Sequence, residues 1–163
     1  MKQISVAQIC RTSAMGWLAL VGAGLLALGC VKFFNPAVFQ EALASHDLFS
    51  NALTSALVWV VPGLECVIGS GLVIAAIEAS GNRSNLVDWA GVSAACILMS
   101  FSGYAFILSI VPPPKPASCG CGLSMKPVQN WGYLGAIDAG LACSVIGATA
   151  LSRRRHHDVL KGD

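Results

Sequence analysis

Charge is what this sequence has least of. Asp, Glu, Lys and Arg make up 11% of the 163 residues, while 55% are hydrophobic. Ordinary soluble domains carry about a quarter charged residues. A chain so poor in charge cannot clothe a water-facing surface, which turns attention to the membrane. Other absences narrow the chemistry. The chain has no Cys-x-x-Cys pair and no clustered His beyond the neighbours His156 and His157 in the C-terminal tail, so the usual ligand set of a zinc site is missing. Glycine-rich phosphate loops, Ser/His/Asp sets and nucleic-acid signatures are not apparent. Internal repeats and low-complexity segments are lacking as well.

What the sequence does have is long apolar runs. Thr12 to Val31 and Trp89 to Val111 carry no charge; Leu48 to Ile77 carries only Glu65, and Val128 to Ser152 only Asp138. About 20 apolar residues suffice to span the hydrocarbon core as a helix. The expected fold is therefore all-α, a four-helix transmembrane bundle forming a single membrane domain over 1–163. Its helices are expected at about 14–34, 50–78, 87–111 and 131–152. With four spans, both termini and the Glu78 to Asp88 loop share one side. That side carries Lys2, Arg11, Arg83, Arg153, Arg154, Arg155 and Lys161; the other carries Lys32, Lys115 and Lys126. Basic residues beside short loops favour the cytoplasm, which predicts cytoplasmic termini and places the Cys119/Cys121 loop outside. The Arg153-Arg154-Arg155 run then reads as a stop-transfer anchor. Leu26-Ala27-Leu28-Gly29-Cys30 resembles the end of a lipoprotein signal. The small-residue pattern before Cys30 is imperfect, however, and the apolar stretch continues through Val31, so the segment is taken as the first helix.

After that helix, Asn35-Pro36 opens a short external segment, Ala37 to His46. Val38, Phe39, Ala42 and Leu43 recur at spacings of three and four and form one apolar face, with Gln40, Glu41 and His46 off it. An interfacial amphipathic helix fits. Pro62 interrupts the second span and predicts a kink. Trp131 and Tyr133 suit interface anchors. Ser93, Cys96, Ser100 and Gly103, and likewise Gly140, Cys143 and Gly147, form small-residue stripes of the kind that let helices approach closely.

Two features carry candidate chemistry. Glu65 lies about 20 Å down its helix from Asn51 at 1.5 Å per residue, where a carboxylate is expensive and faces the bundle interior or a wet cavity. Ser55, Pro62, Glu65 and Gly69 share its stripe. Glu65 is either a protonatable group lining a quinone or substrate pocket, or a hydrogen-bonded pin between helices; both readings are open. Asp138, nearer the surface, suits a solvated structural role. The second feature is Cys119-Gly120-Cys121-Gly122, after Pro112-Pro113-Pro114-Lys115-Pro116 in the only long polar loop. Gly120 and Gly122 give the backbone freedom for a tight bridge. Three readings stand: a strained, exposed and therefore readily exchanged disulfide; a Cu(I) site with Met125 or His46, since soft ligands select soft metals; or a bridge that only stiffens the loop. Cys30, near the outer end of the first helix, could meet this pair as a third thiol. Cys66, Cys96 and Cys143 lie mid-membrane, where Cys behaves as a small hydrophobe, and Cys10 is expected to be cytoplasmic and reduced. No second external pair is evident.

Phe34-Asn35-Pro36, then Pro62-Gly63-Leu64-Glu65 with Gly69, then Cys119-Gly120-Cys121-Gly122 together resemble the MauE family of DoxX-like membrane proteins. The resemblance covers about Ala14 to Leu151, and Pro62, Glu65 and Gly69 match its Pro-x-x-Glu-x-x-x-Gly spacing. In that family the loop commonly has an aromatic residue between the second cysteine and a glycine, whereas here Gly122 follows Cys121 directly. The resemblance implies support of periplasmic thiol–disulfide exchange, in the manner of methylamine dehydrogenase maturation, alongside a thioredoxin-like protein. Cys119 and Cys121 would be the catalytic pair, and Glu65 and Pro62 would shape a cofactor pocket suited to a quinone. Membrane lipid is the other expected partner; nucleic acid is not. A non-catalytic assembly subunit and a Cu(I)-handling protein are the alternatives.

Overall fold

The computed structural model of the chain describes residues 6–78, 84–114 and 128–161. Among them there are five helices and no strand: α1 (Val6–Phe34), α2 (Pro36–Ser45), α3 (Asn51–Glu78), α4 (Ser84–Ile110) and α5 (Trp131–Lys161). All but α2 are long and apolar enough to cross a membrane, over Thr12–Phe34, Asn51–Glu78, Leu86–Ile110 and Trp131–Leu151. The last helix continues through the arginine run to Lys161. Cys119 and Cys121 lie outside the described residues.

The boundary between α1 and α2 follows from Asn35-Pro36. Proline disfavours helical backbone in the residue before it, and Asn35 sits at φ −131°, ψ 57°. Pro36 has no N–H to lose at the first position of a new helix, so one helix stops and the next starts at once. Within α2, Phe39, Ala42 and Leu43 are buried; Phe39 and Leu43 pack on Val58 of α3 with Phe49, Leu57 and Val61 around them. Val38 faces out. His46 differs from expectation: it lies beyond the helix and turns inward, 3% exposed. Asp47 then adopts a left-handed φ of 54°, a conformation that Asp tolerates, and the chain reverses into α3.

The helices associate chiefly as two antiparallel pairs, α1 with α3 and α4 with α5. Glycine makes the first seam. A Cβ on Gly69 would lie 2.6 Å from the Gly22 carbonyl oxygen, and one on Gly29 would lie 2.9 Å from that of Pro62. In the second pair, a Cβ on Gly135 would come within 3.1 Å of the Ser102 carbonyl oxygen, and Ser102 donates a 2.9 Å hydrogen bond to the Gly135 carbonyl. Small residues therefore do set the contacts, but not the expected stripes. Cys96, Gly103, Gly140, Cys143 and Gly147 are exposed on the bundle surface. Ser55 is exposed too, its hydroxyl bonded back to Asn51, and the buried stripe of α3 runs through Thr54, Val58, Pro62, Glu65, Gly69, Leu72 and Ala75. Toward the termini the two pairs close into a solid core around Leu18, Leu72, Ala94, Ala142 and Val145. Toward α2 they do not close, and the space between them is the site.

Candidate functional site

The side chains that enclose this space come from every helix. On α1 they are Trp17, Leu20, Val21, Gly24, Leu25, Leu28 and Lys32, a single face at spacings of three and four. Leu57, Val61 and Glu65 of α3 form a second wall, and Trp131, Leu134, Asp138 and Leu141 of α5 a third. Phe101, Tyr104 and Ala105 of α4 and Phe39 and Leu43 of α2 complete a cavity of about 520 Å³, within the range of small-molecule sites. Its walls are mostly hydrocarbon. Below it, Trp17 Nε1 donates a 3.0 Å hydrogen bond to Ser144 Oγ, tying α1 to α5.

The polar groups gather at one level. Lys32 Nζ donates to Glu65 Oε1, an ion pair with side chains 6% and 0% exposed. The geometry follows from helix direction. A Cα–Cβ bond tilts toward its own helix N-terminus, and α1 and α3 run antiparallel. Lys32 therefore leans down from the end of α1, while Glu65 leans up from the middle of α3. The Lys32 ammonium also lies 5.1 Å from the Phe39 ring centroid and 5.3 Å from that of Phe101, so aromatic faces supply part of the solvation that water would otherwise give. Lys32 is also close enough to Asp138 for the charges to attract. Glu65 Oε2 is buried and has no hydrogen-bond partner among the described residues. The Lys32–Glu65 pair thus leaves one carboxyl oxygen unused.

A second polar contact roofs the cavity. The His46 Nδ1 and the Tyr104 hydroxyl are hydrogen-bonded. The His46 ring also stands edge-on to Trp131, with centroids 5.2 Å apart at 90°, and Phe49 stacks on Tyr104 at 5.7 Å. Trp131 is accordingly an internal residue, and Tyr133 alone of that pair faces outward, 68% exposed.

Of the residues singled out from sequence, Glu65 lies in the cavity and Asp138 lines it, half-buried. Pro62 is buried in the α1–α3 seam with its carbonyl against Gly29 and is not part of the lining. Lys32 reads in the sequence only as a basic residue flanking a span; its spacing from Gly24 and Leu28 on one face of α1 is the available signal for an inward position. Cys30 does not stand apart either. Its thiol neighbours that of Cys66, whose sulfur packs where a Cβ on Gly29 would be, 2.7 Å away. Both are free thiols and partly exposed. Among the described residues, no group of three or more His, Cys, Asp or Glu is arranged to hold a metal ion.

Comparison with protein families decides the relationship. The family described as "Methylamine utilisation protein MauE" matches residues 11–152, the whole bundle. The chain belongs to the MauE family. No curated protein and no solved structure matches it. In this MauE-family chain the Asn-Pro motif makes the α1–α2 break, and Glu65 and Gly69 place a carboxylate in the cavity and a close helix contact one turn below. The protein is thus a multi-pass membrane protein with a polar-headed cavity at the α2 end of its bundle.

Proposed function

We propose that this protein supports thiol–disulfide exchange at the outer face of a bacterial inner membrane. In this reading both termini are cytoplasmic, Cys119 and Cys121 are the reactive pair, and a thioredoxin-like periplasmic protein is the partner. The family's name connects it with methylamine utilisation, and maturation of a disulfide-rich enzyme subunit is a fitting task. The observation that carries the reading is topological. The connection bearing Cys-Gly-Cys leaves α4 at Ile110 and returns at Trp131, and both of those helix ends line the cavity through Tyr104, Ala105, Trp131 and Leu134. The connection that carries Cys119 and Cys121 thus starts and ends at the same end of the bundle as the polar-headed apolar cavity.

The chemistry balances with a quinone in the cavity. Oxidation of two thiols to a disulfide releases two electrons and two protons, and a quinone that accepts them becomes a quinol. Glu65 and Asp138 stand where carboxyl groups could relay those protons, and the apolar walls suit a lipid-soluble carrier. Substituting Cys121 by Ser should abolish exchange with a thioredoxin-like substrate while the protein keeps its helical circular dichroism. Undiminished exchange in that variant would rule out the mechanism. A reduction potential below about −300 mV for the pair would instead mark a structural bridge in an assembly subunit.

A further inference from the structure

The unused oxygen of Glu65 says more about the ligand than the cavity's size does. Glu65 is fully buried, Lys32 occupies its Oε1, and Oε2 lacks a partner among the described residues. A buried carboxylate oxygen with no donor is costly, and a ligand that brings a hydroxyl to it relieves that cost. A ligand that brings only acceptors sets a lone pair against a negative charge. We propose that Glu65 is a specificity-determining residue that makes the cavity bind a quinol more tightly than the corresponding quinone. This rests on the quinone reading of the cavity given above.

The preference comes from the sense of the hydrogen bonds. A quinone offers two carbonyl acceptors. Each becomes a hydroxyl when the ring takes up two electrons and two protons from a dithiol, which leaves as a disulfide. Only the reduced form can donate to Glu65 Oε2. Lys32 can still donate to a quinone carbonyl, so the oxidised form is disfavoured and not barred. The Tyr104 hydroxyl is engaged with His46 and is a weaker competitor for either form.

Entry from the bilayer fits the same walls. On α1, Leu20 is 63% exposed, and Gly24 is exposed with nothing within 4 Å of a Cβ placed on it, yet both line the cavity. The α1 wall is therefore open to the lipid side at Leu20 and Gly24, and Trp17, bonded to Ser144, lines the same cavity below them. An isoprenoid tail can remain in that opening while the ring sits beneath His46 and Trp131. Tighter binding of the product form also has a redox consequence. Each tenfold preference for quinol raises the potential of the bound two-electron couple by about 30 mV, which makes the bound carrier a stronger oxidant for a dithiol.

The test is a pair of anaerobic calorimetric titrations on the full chain in nanodiscs. They would use decyl-benzoquinone and its quinol, with Cys119 and Cys121 both changed to Ser so that no turnover occurs. The quinol should bind at least tenfold more tightly. In Lys32→Met/Glu65→Met, which removes both charges, the ratio should fall to about one. In Glu65→Gln, whose amide both donates and accepts, it should fall part of the way. Equal binding of the two forms, tighter binding of the quinone, or a preference that survives both substitutions would overturn the assignment of Glu65. Binding of neither form would overturn the quinone reading of the cavity itself.

Discussion

The Lys32–Glu65 pair makes a quantitative demand on stability. Substituting Lys32 by Met keeps much of the side-chain length and removes the cation paired with Glu65. Glu65 is wholly buried, so its charge would be left with neither water nor that counter-ion. Breaking a buried pair from one side costs about 3–5 kcal/mol. Loss of the contacts to Phe39 and Phe101 adds about 0.5–2 kcal/mol. Replacing both members with well-packed apolar residues is often neutral or stabilising, so Lys32→Met/Glu65→Met should unfold within about 1–2 kcal/mol of the parent protein. The cycle is measured by equilibrium unfolding in mixed micelles, following helical circular dichroism for the parent, both single variants and the double variant. A coupling energy of several kcal/mol is expected. If Lys32→Met costs less than about 1 kcal/mol, the carboxylate has another way to reach water. If the two single losses simply add, the groups do not form a pair. Either result would refute the buried-pair account.

The α1–α3 seam predicts that Gly69→Val destabilises by about 1–3 kcal/mol or more, since a Cβ there meets backbone atoms at 2.6 and 2.7 Å. Gly24→Ala, into open space, should unfold like the parent; similar losses at both sites would contradict the seam. The Cys30–Cys66 contact predicts that copper-phenanthroline closes a disulfide between α1 and α3, seen as joint protection of both thiols from a maleimide mass tag. Independent labelling of Cys30 and Cys66 after oxidation would show that the seam holds them apart.

Sequence patterns exposed part of this arrangement, and the reasons differ residue by residue. The four spans were legible because an apolar run of that length, with one charge or none, is suited to little besides crossing a bilayer. The α2 helix was legible from the three-and-four spacing of Phe39, Ala42 and Leu43. Glu65 stood out because a carboxylate so deep in an apolar run has to be accommodated. Its partner did not, because Lys32 is separated from it by 33 residues and sits where a flanking cation belongs. Only the antiparallel seam and the tilt of the Cβ bonds turn that side chain inward. Trp131 carried the signature of an interface anchor, and its burial depends on His46 being folded over it. The small-residue stripes of α4 and α5 had the right spacing for helix contacts, but spacing cannot say which face meets a partner. Gly22 and Gly69 meet because α1 and α3 are in register, a relation between two distant segments. Cys30 and Cys66 become neighbours through the same register, a relation that their separate positions in the chain do not show.

The measurement that bears most directly on the proposed function is labelling of Cys119 and Cys121 with a membrane-impermeant maleimide on intact cells, with and without prior mild reduction. The account predicts labelling only after reduction, as for an exposed and exchangeable disulfide at the outer face. Labelling of both thiols without reductant, or of neither under any condition, would contradict it.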